Sequence, residues 1–313
     1  MTHRQRVGLR VGVVGAGRVG AVLGASLRAS GHDVVAVAGE SDASRARIAE
    51  LLPGVAVDKP SSVARGCDLL LLTVPDDMLP NVVSMLTASG AINAGQFVVH
   101  TSGRHGLAVL DEAALAGARP VALHPAMTFT GTAIDLPRLR GCVFGVTAGD
   151  AERELTETLV ADLGGRCMWV AEDRRTLYHA ALAHGSNHLV TLVAQAMEML
   201  EIVGGEDPDF DPAETLRPLL GAALDNALLH GDAALTGPLS RGDVNTVRLH
   251  VEEVAANAPH SLPSYVTLAR DTLDRVVTDG RVLPIRAVKI RRLLDAAASS
   301  AGTAITTVTR RGR

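Results

Sequence analysis

The stretch Val11-Gly12-Val13-Val14-Gly15-Ala16-Gly17-Arg18-Val19-Gly20 decides the fold. An apolar run passes straight into a G-x-G-x-x-G turn, after which Val19, Val22, Leu23 and Leu27 form a helical stripe ending at Gly31. Strand, glycine turn, helix and second strand are the parts of a βαβ unit that holds a dinucleotide. In this reading Gly15 permits the tight turn, Gly17 lets the backbone approach a pyrophosphate, and Gly20 lets the helix pack closely on the strand. The helix N-terminus, running from Ala16 through Arg18 and Val19, offers free amides and a partial positive charge to the phosphates. The alternative is a glycine turn that serves the chain path alone.

Moving outward, the second strand ends in Gly39-Glu40-Ser41-Asp42-Ala43-Ser44-Arg45-Ala46-Arg47. Glu40 lies where an acid binds the ribose 2'-hydroxyl of NAD. Ser41, Ser44, Arg45 and Arg47 instead suit a 2'-phosphate, unless Ser41 caps the next helix and both arginines face solvent. The balance points to NADP, with NAD as the alternative.

Short apolar runs alternate with helical stretches from residue 9 to about 171, as in a parallel sheet flanked by helices. The strands expected are Leu9–Val14, Asp33–Ala38, Asp68–Val74, Gln96–His100, Arg119–Leu123, Cys142–Val146 and Arg166–Val170. Beyond residue 173 the strand signal stops and long helical patterns follow. They cover Arg174–Val203 and Pro212–His230, then Val244, Val247, Val251 and Val254, then Val266, Ala269, Leu273 and Val276. The expected fold class is α/β, a doubly wound Rossmann domain over 1–172 followed by an all-α domain over 173–300 for substrate binding and dimerisation. A tail over 301–313 is expected to lack fixed structure.

Composition removes several classes. With 47% hydrophobic and 20% charged residues the chain is ordinary globular protein, and no apolar run approaches the roughly 20 residues of a membrane helix. A net charge of -4 and few aromatics (Trp 1, Tyr 2, Phe 4) argue against nucleic acid. The three cysteines, Cys67, Cys142 and Cys167, are scattered, so neither a disulfide framework nor a thiolate metal site is expected. The N-terminal stretch shows no separate apolar segment or cleavage site, which gives an expectation of a cytoplasmic protein. Residues 281–313 carry eight basic side chains against the single acid Asp295, read as a solvated terminal helix. Only two lysines occur, Lys59 and Lys289.

On the apolar helix around 174–203, His184, Asn187, His188, Thr191 and Gln195 fall in one sector. Such a stripe either faces a cofactor cleft or is satisfied by hydrogen bonds. No further ligands accompany His184 and His188, so no metal is expected. Histidine suits proton donation near neutrality, which makes His184 the acid candidate and Asn187 the group that positions a carbonyl. The segment Leu235-Thr236-Gly237-Pro238-Leu239-Ser240-Arg241-Gly242-Asp243 supplies a hydroxyl at Thr236 and a guanidinium at Arg241 for a substrate carboxylate, or else a helix cap and a salt bridge.

The fingerprint, Thr73-Val74-Pro75-Asp76, His100-Thr101-Ser102-Gly103 and the helical second half together resemble a superfamily of reductases. It contains pyrroline-5-carboxylate reductase, 3-hydroxyisobutyrate dehydrogenase and ketopantoate reductase. Leu123-His124-Pro125-Ala126-Met127-Thr128-Phe129 and Tyr178-His179-Ala180-Ala181-Leu182-Ala183-His184-Gly185-Ser186-Asn187, with the 234–243 segment, are similar to a narrower bacterial family. That family pairs a Rossmann-like domain with a C-terminal domain of unknown function.

The resemblance implies an NAD(P)-dependent oxidoreductase acting on a small-molecule acid, with a second half like the C-terminal domain of 6-phosphogluconate dehydrogenase. It also implies that Val74, Pro75, Asp76, Thr101 and Ser102 border the nicotinamide end and that His124 lies on the substrate side, where His188 of the polar stripe is expected as well. His124 otherwise fixes an extended turn before Pro125. Hydroxyacid dehydrogenases and the common ketopantoate reductases of the superfamily use a lysine on the first helix after the Rossmann domain, and here that helix has none. The substrate expectation from the resemblance is a carbonyl acid, ketopantoate first, and the missing lysine favours the alternative, a cyclic imine that arrives protonated. A non-catalytic NADPH sensor is the reading from a different class. The apolar helices of the second half lead us to expect a homodimer.

Overall fold

The computed structural model describes the backbone of residues 8–311 and side chains as far as Ser299. The chain divides into two compact units, Met1–Ser186 and Asn187–Arg313.

The first unit begins with β1 (Arg10–Val14), α1 (Arg18–Ala29), β2 (Asp33–Ala38), α2 (Asp42–Leu51), β3 (Ala56–Val57), α3 (Pro60–Arg65) and β4 (Leu69–Leu72). It continues with α4 (Leu79–Ala88), β5 (Phe97–His100), α5 (Asp111–Leu115), β6 (Arg119–Pro125) and α6 (Asp135–Arg138). The remaining elements are β7 (Val143–Ala148), α7 (Arg153–Asp162), β8 (Arg166–Trp169) and the start of α8 (Arg175–Gly204). The strands form one sheet in the order β3-β2-β1-β4-β5-β6-β7-β8. Helices cover both faces, which explains why Leu69–Leu72 is buried at every position rather than alternately. One core lies under α1 and α7 (Val11, Leu23, Leu71, Val99, Leu123 and Phe144) and another under α3 and α4 (Val63, Leu70, Leu72, Leu79 and Val83). Fully burying each such side chain contributes about 1.5–3 kcal/mol.

Two details depart from the pattern in the sequence. β3 is an exposed two-residue edge strand, too short to leave a periodic signal. β7 runs antiparallel to β6, pairing His124 with Gly145, although the rest of the sheet is parallel. The connection between them holds only the four-residue α6 and turns back instead of crossing the sheet as a parallel partner requires.

The second unit comprises the rest of α8 with α9 (Pro212–His230), α10 (Gly237–Arg241), α11 (Val244–Asn257), α12 (Leu262–Thr278) and α13 (Pro284–Arg311). Its core holds Val247 from the expected α11 stripe and Val266, Ala269, Leu273 and Val276 from the expected α12 stripe, and adds Ile290 and Leu294 on α13. Asp243 accepts from the Thr246 amide at 3.1 Å and caps α11. Asp211 does the same for α9 through the Ala213 amide, with Pro212 at the first helical position. Expected disorder over 301–313 falls on residues whose side chains, and at 312–313 the backbone, lie outside the described part. Among the described residues no helix is long and apolar enough to cross a membrane, and no cluster of three metal-ligating side chains occurs.

Candidate active site

The glycine turn sits where the strand order reverses, between β1 and β4, at the carboxyl end of the parallel strands. The amides of Gly15 and Ala16 both donate to the Ala38 carbonyl at the end of β2, at 3.0 and 2.9 Å. Gly15 has φ +97°, and a Cβ there would lie 2.7 Å from the Val74 nitrogen. At Gly20 a Cβ would come within 2.3 Å of Thr73 Oγ1, whose hydroxyl donates to the Gly15 carbonyl at 2.6 Å. Thr73 thus closes the back of the turn. Gly17 differs, because the nearest atom to a Cβ there would be the Gly15 oxygen at 3.8 Å. Its front is open, and no side chain caps α1 behind it. The first amides of α1 therefore have no intrahelical or capping acceptor. Tight glycines behind and an open glycine in front fit a pyrophosphate laid across the turn, so the residues present accommodate a dinucleotide.

Beside this turn lies a cavity of about 330 Å³ lined by Ala38, Gly39, Glu40, Arg45, Asp58 and Lys59 among others. Ser41 accepts from the Ser44 amide at 3.1 Å and donates to Ser44 Oγ at 2.9 Å, so it caps α2. Arg45 pairs with Asp42 at 3.0 Å on the helix surface. The cavity thus gathers Glu40 and Arg45, as the sequence suggested, and adds Lys59, which it did not.

Further along the same edge are the other strand-end residues. Asp76, after Val74 and Pro75, faces Arg104 at 3.6 Å. Thr101 donates its amide to Leu72, and Ser102 is buried. Here a polar cluster forms around Arg175, which is 1% exposed. Its guanidinium donates to the carbonyls of Ser102 at 2.5 Å and Gly145 at 3.0 Å, and approaches Thr147 Oγ1 at 3.4 Å, while its Nε has no partner. All of these acceptors are neutral, so the cation stands without a hydrogen-bonded carboxylate in a poorly solvated place. Burial accordingly pulls its pKa below the ordinary arginine value.

Two histidines respond to the same surroundings. Burial, reinforced by the positive charge of Arg175, lowers both His100 and His124 to about 4. His100 donates Nε2–H to the Gly106 carbonyl at 2.8 Å and accepts the Ser102 amide at Nδ1, which needs no second proton. His124, at the end of β6, has Nδ1 2.9 Å from the Tyr178 hydroxyl. The Tyr178 ring lies on Gly145, the residue paired with His124 across β6 and β7, where a Cβ would be 2.4 Å from the ring. Burial raises the Tyr178 pKa, with Arg175 and the Gly145 backbone partly offsetting it. His179 meets His124 edge to face at 5.8 Å, and Gly103 leaves room for both. Glu172 accepts the amides of Leu107 and Ala108 at 2.7 and 3.2 Å, clipping the loop after β5 to the start of α8.

The structure therefore brings His124 and Ser102 together with Arg175, Tyr178 and His179. The latter three were not singled out for chemistry from sequence, although Tyr178 is one of only two tyrosines and Arg175 opens an otherwise apolar helix. His184, Asn187 and His188 lie further along α8 and are exposed, as are Thr236 and Arg241.

Sheet order and the glycine turn at the switch point define a Rossmann-type α/β domain followed by a helical second half. Residues 2–125 match the Rossmann-like domain family, and residues 142–272 match the domain of unknown function DUF2520. The chain belongs to the proteins that join these two domains. No curated protein gives a significant match. Among solved structures, one from Bacteroides fragilis, provisionally described as an NADP oxidoreductase, is 19% identical with a TM-score of 0.72 over 85% of this chain and 98% of its own. A reductive aminase from Aspergillus terreus, in complex with NADPH and ethyl-5-oxohexanoate, is 16% identical with a TM-score of 0.58, covering 94% and 95%. Plasmodium falciparum pyrroline carboxylate reductase with NADP bound is 11% identical with a TM-score of 0.55, covering 91% and 98%. At these identities the likeness is one of fold.

Proposed function

We propose that this protein is an NADP-dependent oxidoreductase that reduces a small carbonyl or imine acid. The observation that carries the reading is the glycine cradle, closed behind by Thr73 and open in front of Gly17 at the topological switch point. Gly15, Ala16, Gly17, Arg18, Val19 and Gly20 would hold the pyrophosphate, and Glu40, Ser41 and Arg45 the adenosine ribose. Val74, Pro75, Asp76, Thr101 and Ser102 would border the nicotinamide end. Solved structures of similar fold with NADP or NADPH bound support this choice of cofactor.

When bound, the reduced cofactor supplies a hydride. The chain must supply a proton, and the His124–Tyr178 pair is suited to this. Both groups are neutral near pH 7, since His124 titrates at about 4 and burial holds Tyr178 protonated. In the tautomer in which the Tyr178 hydroxyl donates to Nδ1, Nε2 carries the ring proton, on the side of Gly103. As Nε2 gives its proton to a substrate oxygen, Nδ1 takes the tyrosine proton, and the buried Arg175 charge 5.7 Å from the tyrosine ring favours the resulting phenolate. His184, Asn187, His188, Thr236 and Arg241 remain candidates for the substrate side.

Ketopantoate is the first carbonyl acid to assay. A pyrroline-type imine is the second reading, favoured by the lack of any lysine on α8, since a protonated imine needs no acid catalyst. We further propose a homodimer, because Leu228 and Leu229 on α9 and Val203 on α8 are each more than three-quarters exposed. A cytoplasmic setting accords with three unpaired cysteines. Sustained NADPH oxidation with a panel of keto and imino acids tests the proposal. Tight NADPH binding without turnover across the panel would instead establish a sensor.

A further inference from the structure

We infer that Lys59 is the cation that recognises the 2'-phosphate of the adenosine ribose, and so sets the choice between NADP and NAD. This rests on the dinucleotide reading above. Lys59 precedes α3 and lies in the wall of the 330 Å³ cavity opposite Gly39, Glu40 and Arg45. The cavity adjoins the glycine turn through Ala38, whose carbonyl anchors Gly15 and Ala16. An adenosine leaving the turn along the end of β2 therefore enters between the β2–α2 loop and the residues after β3.

Of the groups that sequence offered for a 2'-phosphate, Ser41 and Ser44 are engaged with each other in a helix cap and Arg45 with Asp42, while Arg47 does not line the cavity and has its Nε beside Gly131. Asp58, next to Lys59, accepts the Lys59 backbone amide at 2.6 Å, which directs its carboxylate to the main chain. Among the described residues no carboxylate pairs with the Lys59 ammonium. A strongly hydrated point charge on a four-carbon stem suits a phosphate that arrives with the ligand, because it needs no preformed fork. Glu40 faces the same cavity and is the group that would accept a ribose hydroxyl of NAD. Lys59 and Glu40 thus oppose each other over one ligand position, with Arg45 able to leave Asp42 for the stronger phosphate charge.

The lysine content makes a test possible without any assay of activity. Lys59 and Lys289 are the only lysines and both are exposed, so acetylation can be quantified at each by mass spectrometry, with Lys289 as internal control. Adenosine 2',5'-bisphosphate is expected to slow acetylation of Lys59, 5'-AMP to leave it nearly unchanged, and neither to alter Lys289. Equal acetylation of Lys59 in the presence of both nucleotides overturns the inference. In parallel, calorimetry of Lys59→Met should show NADPH binding weakened about tenfold or more with NADH binding unchanged, and Lys59→Arg should restore most of the loss. If the wild-type chain binds both dinucleotides and Lys59→Met alters neither, or weakens both alike, this inference fails and the dinucleotide reading stands. If the wild-type chain binds neither, both fail together.

Discussion

The hydroxyl of Tyr178 lies 2.9 Å from Nδ1 of His124, joining the start of α8 to the end of β6 across 54 positions of sequence. If this pair delivers the proton, His124→Gln should lower kcat by about 10² to 10⁴, the usual range for losing an acid catalyst. NADPH affinity should hardly change. Tyr178→Phe should lower kcat less, because Nε2–H survives and only its resupply is lost. Turnover within a few fold of wild type in both variants would move the assignment to His184, tested by His184→Gln.

The pH profile gives an independent check. An ordinary histidine titrates near 6.5, but His124 is lowered to about 4 by burial and by Arg175. Turnover should therefore run level between roughly pH 5 and 8, with an acid limb near 4. A limb near 6.5 that disappears in His124→Gln would contradict the buried pair.

Stability should respond to acid for the same reason. His100 and His124 bind a proton more readily in the unfolded chain than in the folded one. Their contribution is complete above pH 6.5 and is lost as pH falls through that value towards about 4, where the folded groups also protonate. The difference is on the order of 3 kcal/mol for each group across the window. Urea midpoints should fall from pH 7 to pH 5, and less steeply in His124→Gln. A midpoint independent of pH over that range would argue against neutral burial.

The glycines of the turn should separate fold from binding. Gly20→Ala drives a Cβ into Thr73 Oγ1 and the Gly15 carbonyl and should cost about 1–3 kcal/mol of stability. Gly17→Ala meets only open space and should change stability by no more than about 1 kcal/mol, while weakening NADPH at least about tenfold. Thermal melts and calorimetry on the two variants provide the comparison. Unchanged affinity in Gly17→Ala would mean that no pyrophosphate lies there.

Light scattering tests the proposed dimer. The exposed leucines of α9 predict twice the chain mass at micromolar concentration, and Leu228→Glu with Leu229→Glu should yield monomers. A wild-type monomer would contradict the proposal.

What was legible in the sequence was local. The glycine turn, the βαβ context and the α11 and α12 stripes announce themselves within a few residues, because strand and helix periods write directly into the chain. The cluster around Arg175 does not. Its contacts join residues 30, 54 and 73 positions apart, and no single stretch carries their pattern. Gly145 is an example: its reason for lacking a side chain is the Tyr178 ring that rests on it. The polar stripe on α8 directed attention to His184, whereas the first turns of the same helix carry the buried charge. Ser41 has the composition of a phosphate ligand and the hydrogen bonds of a cap, and only coordinates separate the two.

A crystal structure of the protein with NADPH would show whether a nicotinamide dinucleotide spans this sheet edge from the cavity at Lys59 to the pair at His124. The pyrophosphate should lie against the amides of Gly17 and Arg18, the 2'-phosphate beside Lys59, and the nicotinamide ring on the side of Thr101 and His124. A dinucleotide bound with its nicotinamide away from His124, or a crystal soaked to saturation with the glycine turn empty, would contradict this arrangement.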